Sequence, residues 1–225
     1  MRFQARKLLG FEPTYLIRSP NPGSMSIYEL KPAFQNLLRP LVRALHAGGC
    51  TANGVTIATC VLSVALGVVL CVYSEMRGLF LLLPLYFFVR MALNAVDGML
   101  AREFGQKSNL GAFLNELTDV ISDAALYLPF AFLPHFDWLA VAAVIFLSAL
   151  SEMTGTVAVM IGATRRYDGP MGKSDRAFVF GALGLAVGLG LPTAGWERFI
   201  FPAIALLLCV TIVHRVGRAL GEAKA

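Results

Sequence analysis

Apolar residues run through this chain in long blocks separated by short polar connections. A helix that crosses a hydrocarbon core about 30 Å thick needs roughly 20 mostly apolar residues, because its backbone groups must be paired within the segment itself. Six blocks meet that length, at about 53–73, 79–101, 111–133, 137–162, 176–193 and 197–217. Ahead of them, residues 27–45 (IYELKPAFQNLLRPLVRAL) place Leu30, Phe34, Leu37, Leu38, Leu41 and Leu45 on one helical face, with Lys31, Arg39 and Arg43 elsewhere. This pattern predicts an amphipathic helix lying in the membrane interface, with a helix packed on the bundle as the alternative. The expectation is an all-α membrane protein in which six transmembrane helices are preceded by an interfacial amphipathic helix. Residues 1–25, with Pro13, Pro20, Pro22 and Gly23, read as an irregular lead-in, 26–48 as the juxtamembrane helix and 49–220 as one membrane domain.

Composition agrees with that reading. The 225 residues are 57% hydrophobic and only 15% charged, too apolar for a soluble domain of this size. The apolar run near Leu8–Phe11 is too short for the h-region of a signal peptide, so no cleaved leader is expected. Charge then orients the spans. Arg77 and Arg198 fall on one side, while the basic residues of both termini and of the 102–110 and 163–176 loops fall on the other, which predicts cytoplasmic termini. The net charge of +5 reads as topology plus attraction to anionic lipid, and no nucleic-acid partner is expected. Cys50, Cys60, Cys71 and Cys209 lack metal or redox spacing and are expected to be buried as small apolar residues.

Ionisable groups within the apolar blocks change the picture. A charge at mid-bilayer costs at least ~2.5 kcal/mol, so such groups line cavities, bind ions or pair. In the second block Arg90, Asn94, Asp97 and Ala101 recur at helical spacing; in the third, Gly111, Asn115, Asp119 and Asp123 do the same. With a rise of about 1.5 Å per residue the two stripes match in depth, predicting a polar cleft with oxygen ligands at its mouth and Arg90 at its floor. Arg90 is expected to pair with Asp123 or with Glu152. Oxygen-only donors suit Mg²⁺ or Mn²⁺, and the lack of a His or Cys cluster argues against zinc.

The spacing Asp97-Gly98-x2-Ala101-Arg102-x8-Gly111-x3-Asn115-x3-Asp119 resembles the signature of the CDP-alcohol phosphatidyltransferase family, D-x2-D-G-x2-A-R-x8-G-x3-D-x3-D. Thr51-Ala52-Asn53-Gly54-Val55-Thr56 resembles the family segment that enters the first span, with alanine in place of proline. The resemblance implies metal-dependent transfer of a phosphatidyl group from CDP-diacylglycerol, or a related CDP-lipid, to an alcohol, with CMP leaving. It implies Asp119 as the base, Asp97, Asp119, Asn94 and Asn115 as ligands of one or two Mg²⁺ or Mn²⁺ ions, and Asn53, Thr56, Gly98, Ala101, Arg102 and Gly111 as the nucleotide site. It also implies a homodimer in a bacterial inner membrane, with the site facing the cytoplasm. In the loop before the fifth block Gly172-Lys173 resembles a family element, so Arg165, Arg166, Lys173 and Arg176 are candidates for acceptor or lipid phosphate; the topology rule alone also predicts basic residues there.

This chain departs from the signature at its first and third acids, which are Asn94 and Asn115. An amide oxygen still ligates a hard cation but brings no charge. Three readings follow: one tightly held ion, two ions assembled only with nucleotide, or a CDP-lipid-binding protein without the chemistry. A small transporter using the intramembrane charges explains the acids but not the Gly, Ala and Arg spacing. Glu116 lies about 100° round the helix from Asn115 and is a poor substitute for the missing acid.

Overall fold

The computed structural model describes residues 27–191, 195 and 197–223; the irregular lead-in expected over 1–25 lies outside them. Every regular element among the described residues is helical. The helices are α1 (Ile27–Ala47), α2 (Ala52–Val72), α3 (Leu82–Glu103), α4 (Asn109–Tyr127), α5 (Trp138–Val157), α6 (Lys173–Gly188) and α7 (Glu197–Ala223). Tight 3-10 turns precede α3 (Arg77–Leu81) and follow α4 (Leu128–Phe132) and α5 (Ala158–Ile161).

Side-chain caps set several helix starts. Thr51 Oγ1 accepts from the Gly54 N–H at 3.0 Å, Ser108 Oγ from Gly111 at 2.9 Å and Asp137 Oδ1 from Leu139 at 2.9 Å. Each caps amide donors that the first turn of its helix leaves unpaired.

Among the described residues four stretches, 52–72, 77–103, 138–161 and 197–223, are long and apolar enough to cross a membrane. Helix α4 carries Glu116, Asp119 and Asp123, and α6 is 16 residues long with Lys173, Asp175 and Arg176, so neither meets that criterion. Outward faces of the bundle are strongly apolar, with Val61, Leu85, Phe146, Leu206 and Val213 all exposed.

Between helices the packing is close. A Cβ on Gly67 of α2 would stand 2.2 Å from the Ala125 carbonyl oxygen of α4, so only glycine permits this approach. Phe80, Phe130, Phe136, Phe180 and Phe201 form an aromatic core at the end of the bundle that also holds Arg77 and His135, with the Tyr127 ring stacked on Phe180. The charged residues collect toward the opposite end.

Helix α1 packs on the bundle through Leu38, Val42 and Leu45, which join Ala52, Val96, Met99 and Leu100 in a second small core. Arg39 clamps Glu103 of α3 with two hydrogen bonds of 3.0 and 3.1 Å. Leu37 and Leu41 point outward and are exposed. The apolar face expected as one surface is therefore split, one stripe on the bundle and one free.

The cysteines depart from expectation. Cys50 and Cys209 are exposed and Cys60 and Cys71 only partly buried, so none lies in the core. On a bundle whose outward faces are apolar, a small thiol needs no interior position.

Candidate functional site

At the α1 end of the bundle, the starts of α2 and α4 and the end of α3 enclose a cavity of about 440 Å³. Its wall includes Asn53, Thr56, Gly98, Ala101, Arg102 and Gly111, together with Asp97 and Asn115. The helix starts explain the shape, because contacts between them hold the first turn of α2 against the start of α4 and the turn before it. Asn53 Nδ2 reaches Ser108 Oγ at 3.5 Å, and the Ala52 N–H donates to Gln106 Oε1 at 2.7 Å.

Two glycines set the clearance. The Arg102 guanidinium folds back over Gly98, where a Cβ would meet Nη2 at 2.9 Å. A Cβ on Gly111 would stand 2.7 Å from Asn53 Oδ1. Asp97 is buried on this wall and its Oδ2 accepts from the Thr56 hydroxyl at 2.9 Å. Thr56 thereby orients one carboxylate oxygen.

Asn94 and Asp119 lie one turn further into the bundle on α3 and α4, and neither lines the cavity. Asp119 Oδ2 is 2.6 Å from Lys173 Nζ, and Oδ1 is 3.4 Å from Arg90 Nη2. One turn deeper, Asp123 takes Arg90 at 2.5 Å and Arg176 at 2.9 Å. The acids of α4, four residues apart, thus face cations of α6 three residues apart, with Arg90 of α3 bridging both acids. Of the two partners considered for Arg90, the structure selects Asp123. Glu152 instead receives Arg176 at 3.0 Å, Arg165 at 3.4 Å and Arg215 at 3.6 Å. Arg165 continues to Glu116, closing a chain of charges that draws on five helices, α3 to α7.

The basic loop residues divide by burial. Arg176 has no exposed surface and is taken up by Asp123, Glu152, the Met171 carbonyl and Ser151, which gives it a structural task and removes it from any surface that could meet an acceptor. Lys173 keeps 36% of its side chain exposed. Arg166 binds Asp168 and Glu222, and its guanidinium holds the Asp168 carboxyl below the ordinary aspartate value.

Several positioning residues carried no clear signal in the sequence. Thr211 accepts from the Met171 N–H at 3.0 Å, Arg215 donates to the Asp168 carbonyl at 3.2 Å, and Glu222 accepts from the Thr164 N–H and hydroxyl at 3.0 and 2.9 Å. One stripe of α7 therefore fastens the loop that delivers Lys173. Arg215, counted only toward the basic balance, is buried. Ser108, Gln106 and Glu116 also line the cavity. For Ser108 the signal was available, since a serine three residues before Gly111 opens a helix.

As a test of fit for a metal, Asp97, Asp119, Asn94 and Asn115 offer hard oxygen donors with only two carboxylates among them. Among the described residues no three His, Cys, Asp or Glu side chains converge. This donor set fits one hard divalent ion better than two.

The family model for CDP-alcohol phosphatidyltransferase matches residues 50–214. The inner membrane protein YnbA of Escherichia coli K12 is 47% identical over 191 residues, 85% of this chain and 94% of that protein. The crystal structure of the Mycobacterium tuberculosis phosphatidylinositol phosphate synthase in complex with manganese and citrate aligns with a TM-score of 0.67 at 23% identity, covering 80% of this chain and 88% of that one. The same synthase with CDP-DAG bound aligns at 0.62 and 23% identity over 82% and 92%. At that identity the likeness is one of fold. The family match spans the cavity, both motif helices and the loop that carries Lys173, and on that extent the chain belongs to the CDP-alcohol phosphatidyltransferase family.

Proposed function

We propose that the protein transfers a phosphatidyl group from CDP-diacylglycerol, or a related CDP-lipid, to an alcohol, releasing CMP, as a step of phospholipid synthesis. The observation that carries this reading is the cavity whose wall brings together Asn53, Thr56, Asp97, Gly98, Ala101, Arg102, Gly111 and Asn115, with Asp119 one turn beyond it. Gly98 and Gly111, lacking a Cβ, let Arg102 and Asn53 lie close against the backbone of the wall, where both side chains are placed to meet a nucleotide. Arg102 supplies positive charge for the diphosphate.

Asp119 takes the proton of the acceptor hydroxyl on its carboxylate. The hydroxyl oxygen then bonds to the phosphorus that bears diacylglycerol. The bond from that phosphorus to the bridging oxygen breaks, and CMP leaves with the electron pair. Mg²⁺ or Mn²⁺ would be held by Asp97, Asn94, Asn115 and Asp119 and supplies positive charge against the diphosphate. Arg165, Arg166 and Lys173 suit an anionic acceptor such as glycerol 3-phosphate or inositol phosphate.

The same reading places six crossings in the membrane, α1 in the cytoplasmic interface with Leu37 and Leu41 toward lipid, both termini in the cytoplasm and the protein as a homodimer. The inner-membrane relative and the basic residues at the cavity end support this placement.

The test is CMP release by protein in nanodiscs containing CDP-diacylglycerol, with Mg²⁺ or Mn²⁺ and a panel of glycerol 3-phosphate, serine, inositol, inositol phosphate and glycerol. Release that needs metal and one acceptor, and is absent in Asp119→Ala, supports the transferase. CDP-lipid binding without release from any acceptor favours a binding protein whose two asparagines have removed the chemistry.

A further inference from the structure

Lys173 places a positive charge against Asp119, one of the two carboxylates among the expected metal ligands. It is the first residue of α6, and its turn is held by the Asp175 carboxylate, which accepts from the Gly172 N–H at 2.9 Å. Thr211 and Arg215 fasten the loop before it, so the ammonium is delivered to Asp119 by a braced backbone. Its distance of 2.6 Å from Asp119 Oδ2 is a direct charge-assisted contact. Arg90, the other cation on Asp119, is committed mainly to Asp123.

Charge then decides how many divalent ions the site can keep. Asp97 and Asp119 supply two negative charges, Asn94 and Asn115 none, and Lys173 returns one positive charge. A second dication beside Asp119 would meet the ammonium as a like charge at contact distance, without the two carboxylates that would offset it.

Resting on the transferase reading above, we infer that Lys173 is a built-in counter-ion of Asp119 that takes the electrostatic place of a second divalent cation, leaving one divalent site on the Asp97 side. The asparagines and the lysine then form one adaptation: fewer acids in the ligand set, and a fixed monovalent charge where a metal would be. On this view the ammonium also screens Asp119 until an anionic substrate draws Lys173 away.

The experiment counts Mn²⁺ by electron paramagnetic resonance on the full-length protein in nanodiscs, with CDP present, for the wild type, Lys173→Gln, Lys173→Arg and Asp119→Asn. The expected result is one Mn²⁺ per chain in the wild type, binding at least tenfold tighter in Lys173→Gln and unchanged in Lys173→Arg. In an Asp119→Asn background, Lys173→Gln should bring no tenfold gain, because the shared carboxylate is gone. Two Mn²⁺ per wild-type chain, no Mn²⁺ in either form, or superimposable wild-type and Lys173→Gln isotherms would each overturn the inference. Elution of each variant as the wild type on size exclusion guards against misfolding. The CMP-release assay judges the transferase separately: a correct ion count without release rejects the chemistry and leaves the counter-ion standing.

Discussion

Arg176 is the residue whose loss the fold should feel most. Its guanidinium is fully buried and donates to Asp123 at 2.9 Å and Glu152 at 3.0 Å, with longer contacts to the Met171 carbonyl and Ser151. Replacing it by leucine keeps much of the volume and removes both charged contacts. The surrounding charges are Arg90, Arg165, Lys173 and Arg215 against Glu116, Asp119, Asp123 and Glu152, which balance once Arg176 is gone. The loss is therefore set by hydrogen bonds and local pairing rather than by net charge. Two bonds to ionised groups at about 1.5–3 kcal/mol each predict a cost of roughly 3–6 kcal/mol, which overlaps the roughly 3–5 kcal/mol found when one partner of a buried pair is removed. Ordinary interhelical hydrogen bonds in membrane proteins average about 0.6 kcal/mol, so two of those would give only about 1 kcal/mol. Unfolding in mixed dodecyl maltoside and SDS micelles, followed by circular dichroism, separates these values. A cost at or below about 1 kcal/mol for Arg176→Leu would refute the view that this arginine ties α4, α5 and α6 together.

Other substitutions test the site and its frame. Gly67→Ala should prevent stable folding, since its Cβ meets backbone at 2.2 Å, whereas Gly98→Ala should fold normally because the atom it meets is the movable tip of Arg102; thermal unfolding distinguishes them. Thr56→Val removes the hydrogen bond that orients Asp97, and CDP binding measured by calorimetry should weaken by about tenfold or more, as expected for a bond to a charged group. Glu222→Gln loosens the loop at Thr164 and Arg166, so trypsin should cut after Arg165 or Arg166 faster than in the wild type, and acceptor KM should rise more than kcat falls. Cys50, exposed at the cavity end, should react with a membrane-impermeant maleimide in inverted vesicles and not in intact spheroplasts; the opposite pattern would reverse the proposed orientation.

Helical content, the order of the apolar blocks and part of the cavity wall were legible in the chain itself. Helical periodicity is local, so Asp97, Gly98, Ala101 and Arg102 had to follow one another along α3 whatever packed against it. The spacing of Gly111, Asn115, Asp119 and Asp123 on α4 is equally local. Cap residues such as Thr51 and Ser108 mark their helix starts within a few positions.

Pairing between helices was decided only by tertiary structure. Which carboxylate meets which cation depends on the rotation and depth at which two helices pack, and no period in the sequence contains that information. Arg90 could have taken Asp123 or Glu152; the packing of α3 and α4 on the same helix, α2, set Arg90 against Asp123 and left Glu152 to Arg176, Arg165 and Arg215. The same holds for Arg176 and Arg215, which look like loop-end basic residues in the sequence and become buried when α6 packs on α3 and α7 packs on α5. Sequence alone supplied the two missing acids of the motif. Only the folded chain set the Lys173 ammonium against Asp119, because residues 54 positions apart meet through the placement of a loop by α7.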